Sequence, residues 1–146
     1  MASNSGLGLR TFRGAALIPQ TAQTPYFTVV GGKVRILEII GEVVVIIGDV
    51  ATNAKLIANP TVGADVDLCA QANIQADAAG TIYSITGTLT DALIPTTSGA
   101  VTAQANGITV AAGTIDLYTD ANSVTGTTKW MVRWIPVDSG AKVVVA

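Results

Sequence analysis

From Pro25 onward the chain alternates between short apolar runs and breaks marked by glycine, proline or asparagine, and its periodic segments have period two. That pattern predicts strands and turns rather than helices. Tyr26-Phe27-Thr28-Val29-Val30 reads as a short strand, followed by Gly31-Gly32 as a two-residue hairpin turn, because both glycines accept positive φ. Lys33 to Ile47 is the longest strand expected. Its end, Val43-Val44-Val45-Ile46-Ile47, is apolar on both faces, which implies a central place in a sheet or cover by a partner. Gly41 within it predicts a bulge or bend. Lys55–Ala58 and Ala64–Ala70 follow as strands, the second placing Ala64, Val66, Leu68 and Ala70 on one face and Asp65, Asp67 and Cys69 on the other. Further strands are expected at Thr81–Leu89, Ala92–Ile94, Ile108–Ala111, Thr114–Thr119, Lys129–Val137 and Lys142–Ala146. The most helix-like piece, Cys69–Ala79, is short and uncapped.

Residues 1–24 break this rhythm. They are rich in Ser, Gly, Ala, Thr and Gln and show no strand period, so they read as an extended N-terminal arm that needs a surface to lie on. The expected organisation is an arm over 1–24 and a β domain over 25–146. The fold class expected is all-β, a single antiparallel sandwich or barrel, jelly-roll-like. The arm's anchors to a partner are Arg10, Phe12, Arg13, Leu17 and Ile18, since arginine, aromatic and large apolar side chains carry interface energy. Val43, Val45 and Ile47 share a strand face and are the expected oligomer interface.

Composition narrows the chemistry. The chain is 49% hydrophobic and 12% charged, with one cysteine and no histidine. Triads that need histidine and zinc sites built from imidazole or paired thiolates are excluded. Glu38 and Glu42 would share a strand face about 13 Å apart at roughly 3.3 Å per residue, too far for a glycosidase pair at roughly 5–9.5 Å. Asp65 and Asp67 are closer, but two carboxylates fall short of the about six to eight oxygens calcium takes, so a solvated strand face is expected. No catalytic residue, metal or cofactor is expected. A formal net charge of -2 gives no basic field for nucleic acid. No run is long and apolar enough to cross a membrane as a helix, and Met1-Ala2-Ser3-Asn4-Ser5 does not read as a secretory leader. Few charges on a hydrophobic chain leave apolar surface for another subunit. Cys69, between Leu68 and Ala70, is expected to be a small buried hydrophobe. Trp130, Val132, Trp134 and Pro136 alternate onto one face, where the tryptophans either anchor the core or form a platform for a sugar; the core is the expected place.

A small, acidic, histidine-free domain rich in Ala, Thr, Val and Gly, with an N-terminal arm, resembles the decoration (cement) proteins of tailed-bacteriophage capsids. The stretches Gly31-Gly32-Lys33-Val34-Arg35-Ile36-Leu37-Glu38-Ile39-Ile40-Gly41 and Ala51-Thr52-Asn53-Ala54-Lys55-Leu56 look like those of small phage structural proteins, and Trp130 to Pro136 with Asp138-Ser139-Gly140-Ala141 add to that likeness. It is a likeness of style over roughly residues 25–146, and it transfers no functional residue. The resemblance implies a non-enzymatic virion protein on the capsid surface, made in the bacterial host cytoplasm. It further implies a homo-oligomer, often a trimer, that clamps neighbouring major capsid proteins. A tail, baseplate or head-fibre component and a carbohydrate-binding module are the alternatives.

Overall fold

The longer strands form mostly where β-branched and aromatic residues cluster. In the computed structural model, which describes residues 7–146, the strands are β1 (Leu9–Leu17), β2 (Gln23–Val30), β3 (Val34–Val45), β4 (Asn53–Pro60), β5 (Val66–Asp67), β6 (Ala72–Asn73), β7 (Ile82–Ser84), β8 (Ile94–Thr96), β9 (Ile108–Val110), β10 (Gly113–Thr119), β11 (Thr127–Pro136) and β12 (Lys142–Val145). The segment Cys69–Ala79 holds β6 and turns, and no helix occurs among the described residues.

Sheet A runs β1-β11-β3-β7-β8 with β9 also beside β3, and sheet B runs β12-β2-β10-β4-β5 with β6 also beside β4. Every pairing between these strands is antiparallel. The early strands meet the late ones in reverse order: β1 with β11, β2 with β10, β3 with β9 and β7, β4 with β5. Successive rungs of this ribbon fall in alternate sheets, which is the jelly-roll winding of a β-sandwich. β12 adds a strand outside β2.

Two expectations about β3 change. Gly31-Gly32 does adopt positive φ, 81° and 134°, but it carries the chain from β2 in sheet B to β3 in sheet A, a corner rather than a hairpin. Asp138 Oδ2 latches this corner, accepting from the Lys33 backbone N–H at 2.8 Å and from Lys33 Nζ at 3.0 Å. Those bonds, the backbone one first, hold the Asp138 carboxyl below the usual carboxylate range. Gly41, in turn, marks no bulge. The register slips at Leu37 and Val44 instead, and Gly41 lies in regular register between Trp130 of β11 and Tyr83 of β7. A Cβ at Gly41 would stand 2.6–2.7 Å from three atoms of the Trp130 ring, so the bare backbone is what lets the indole lie across β3.

Trp130 centres the core. It stacks on Tyr83 at 6.0 Å between ring centroids and meets Tyr26 of sheet B edge-on at 6.3 Å. Its Nε1 donates to Thr128 Oγ1 at 2.9 Å. Both tryptophans are buried, Trp130 at 3% and Trp134 at 6% exposure, as the alternation of β11 predicts. Ile36, Ile39, Val43, Phe27, Leu56, Ile115 and Leu117 complete the space between the sheets. Cys69 is buried as expected, its thiol pushed up to about 11 by burial first of all. The reason differs from simple alternation: β5 ends at Asp67 and the chain bends, turning Leu68 and Cys69 inward in succession.

The arm is the main correction. Residues 1–6 of the expected arm lie outside the described residues, but from Leu9 onward it is part of the domain. β1 pairs with β11 from Leu9 opposite Trp134 to Leu17 opposite Thr127, with a slip between Arg13 and Ala16. Ile18, at 1% exposure, is in the core. Thr11 ties this strand to both sheets. Its Oγ1 accepts from Trp134 Nε1 at 3.0 Å and donates to the Val143 carbonyl of β12 at 2.7 Å. Thr11→Val keeps the shape and deletes both bonds, leaving the indole N–H unpartnered. The expected cost is about 1–3 kcal/mol. Urea unfolding measures it, and a midpoint equal to that of the unmutated protein refutes the role.

Candidate interaction face

The outer face of sheet A gathers the exposed side chains of β1, β11 and β3 into transverse rows, because antiparallel register sets directly opposed residues on the same face. One row reads Phe12–Met131–Ile40, and another reads Leu17–Thr127–Val45. Between them Lys129 faces Glu42, 3.9 Å apart. Beyond Phe12 the row Arg10–Arg133–Glu38 closes the face. Glu38 pairs with Arg133 at 3.7 Å, whereas Arg10, directly opposite the like charge of Arg133, has no acidic partner among the described residues. A groove of about 340 Å³ runs past Phe12, Gly14, Ile40, Glu42, Lys129 and Met131.

Phe12 is 66% exposed, Leu17 50% and Val45 49%, with Val44 and Ile46 also open beside them. Large apolar side chains held in solvent by a rigid sheet are costly unless something covers them.

The residues expected at interfaces therefore divide. Arg10, Phe12 and Leu17 of β1 lie on this face. Arg13 and Ile18 do not. The Arg13 guanidinium sits 4.2 Å over the Tyr26 ring, with Nη1 reaching the backbone oxygens of Tyr26 and Ala146 at 3.4 Å each. Of the expected oligomer residues only Val45 is outside. Val43 and Ile47, at 0% and 1% exposure, belong to the subunit's own core. The slip at Val44 breaks the alternation, so the outward set is Val44, Val45 and Ile46. An all-apolar run carries no polar position to mark its sides, and this left the sequence silent on which residues face out.

Trp130 and Trp134, buried as described, form no exposed platform. Comparison with family models, with curated proteins and with solved structures finds no match.

Proposed function

We propose that this chain is a non-enzymatic structural protein that acts by assembly, through the outer face of sheet A. The specific reading is capsid decoration. In it the domain binds the outer surface of an assembled phage shell and bridges major capsid proteins, by itself or as a homo-oligomer. A jelly roll is common to viral capsid and lectin domains and does not choose between them. The observation that carries the proposal is the pair of exposed apolar sites, Phe12 in one row and Leu17, Val45 and Ile46 at the next, set either side of the Lys129–Glu42 pair, with Arg10 at the margin and unpaired among the described residues. Apolar anchors with arginine at the margin are the composition of protein interfaces. The glycan-binding alternative needs open tryptophans, and both are interior.

The mechanism is linkage. A ligand that binds only the assembled shell stabilises that state by mass action, and binding to two capsid subunits at once resists their separation. The test is occupancy on purified shells of the parent phage at equal protein concentration. Phe12→Ser with Leu17→Ser is expected to lower apparent affinity by about tenfold or more, since truncating central anchors costs roughly 2 kcal/mol or more. The variant's circular dichroism and unfolding midpoint check that the fold is intact. Undiminished occupancy would remove this face from the binding site. Val45→Asp with Ile46→Asp is expected to dissociate any homo-oligomer, read by analytical ultracentrifugation, and an unchanged mass would place the subunit contact elsewhere.

A further inference from the structure

The other sheet carries a buried charge that the assembly reading leaves unused. Asp116 sits in the middle strand of sheet B, β10, between the core residues Ile115 and Leu117, so its own side chain points to the outer face. It is nevertheless only 1% exposed. Among the described residues no arginine or lysine pairs with it. Its Oδ2 accepts from Gln23 Nε2 at 2.7 Å and from Asn59 Nδ2 at 3.4 Å, while its Oδ1, buried beside Oδ2, has no partner. An unpartnered buried carboxylate oxygen is costly and calls for an explanation.

A second carboxylate stands close by. Gln23 Nε2 also donates to Asp65 Oδ2 at 2.9 Å, so one amide nitrogen is clasped between two carboxylate oxygens. Asp65 comes from the exposed turn between β4 and β5. Its neighbour Asp67 is engaged elsewhere, with Lys55 at 3.0 Å. The nitrogen therefore occupies the place where a cation would bind, and a shift of a few tenths of an ångström would bring both oxygens to the roughly 2.3–2.6 Å of calcium–oxygen contacts.

The geometry points to a divalent-cation site, calcium by its chemistry, formed by Asp65 and Asp116 with the side-chain amides of Gln23 and Asn59. An ion there displaces the Gln23 amide nitrogen, and Gln23, drawn back and turned about its last bond, then offers its carbonyl oxygen as a ligand; Asn59 turns in the same way. Both oxygens of Asp116, Asp65 and the two amide oxygens supply most of the about six to eight oxygens calcium takes, with water completing the shell. No third acidic or cysteine side chain joins them among the described residues. The donor set itself, carboxylate and amide oxygens in an irregular arrangement, suits calcium better than magnesium with its strict octahedron. The bound ion would satisfy Asp116 Oδ1 and fasten the β4–β5 turn onto sheet B. None of this depends on how the outer face of sheet A is used.

The experiment uses the full chain with Tb³⁺ as the luminescent probe and Ca²⁺ as the competitor. Tyr118, opposite Gln23 in the register of β10 and β2, is placed to sensitise the emission. Sensitised emission displaced by Ca²⁺, and a melting temperature raised by CaCl2 and restored by EGTA, are expected. Asp65→Asn lies in an exposed turn and should fold normally, and with Asp116→Asn it should weaken binding by an order of magnitude or more as ligand charge falls. Asp67→Asn, which removes only the pair with Lys55, should leave ion binding unchanged. Gln23→Lys places an ammonium between the carboxylates and should abolish ion binding while raising the calcium-free melting temperature. Absence of both emission and a Ca²⁺-dependent melting shift in the unmutated protein overturns the site. So does binding that survives both Asp65→Asn and Gln23→Lys.

Discussion

Removing residues 1–17 is expected to unfold the domain rather than trim it. The segment looks dispensable in sequence, and an arm bound to a partner would leave a folded β domain when deleted. In the structure its loss strips β1 from β11 over the whole register Leu9–Leu17. The outer edge of β11 would lose its backbone partners, Trp134 Nε1 would lose Thr11, and the flank of the indoles that β1 lies along would open to water. Several hydrogen bonds at about 1 kcal/mol each, added to exposed indole surface, approach the about 5–15 kcal/mol that holds a typical domain together. The expected product binds a hydrophobic dye and shows no cooperative urea transition. A sharp transition near that of the full chain would mean that β1 is an accessory strand, and the case for a free arm would return.

The second large effect concerns Trp130. Trp130→Ala should cost about 3–5 kcal/mol, the usual range for emptying a buried tryptophan site. Gly41→Val should cost about 1–3 kcal/mol or more, because its side chain enters the space of the indole, where even a Cβ comes within 2.6 Å. The two changes occupy one volume. The double variant should therefore be less destabilised than the sum of the singles, since the valine grows into the cavity left by the indole. Urea unfolding of the three variants tests this. Strict additivity would show that Gly41 and Trp130 do not share the packing described.

Much of the fold was legible in the chain. Short apolar runs, most of them rich in Val, Ile and Thr and bounded by Gly, Pro or Asn, announced β2, β3, β4, β9, β10, β11 and β12 to within a few residues, because β-branched side chains suit a pleated surface. Trp130 and Trp134 alternate with Lys129, Arg133 and other outward residues, so their shared face followed from spacing, and the scarcity of other large side chains in the chain put that face in the core. β1 was not legible. Its inward positions are Thr11 and Arg13, polar residues whose partners, Trp134, Val143 and Tyr26, come from distant segments. A polar inward face erases the alternation by which a strand is recognised.

The candidate sites divide in the same way. Arg10, Phe12 and Leu17 were marked by residue type, since large apolar and arginine side chains in a weakly charged chain have few places to go. Which of Val43 to Ile47 face outward was decided by one slip of register at Val44, a property of the pairing with β11. Asp116 meets Gln23 and Asn59 across 93 and 57 residues of chain, and local spacing directs attention to Asp67 as the partner of Asp65 instead. By itself the sequence determined that this is an all-β domain with its tryptophans inside, because period and side-chain type are local properties. The winding into a jelly roll, the strand hidden in the N-terminal segment and the meeting of Asp65 with Asp116 belong to tertiary structure, because each depends on which distant strands lie side by side.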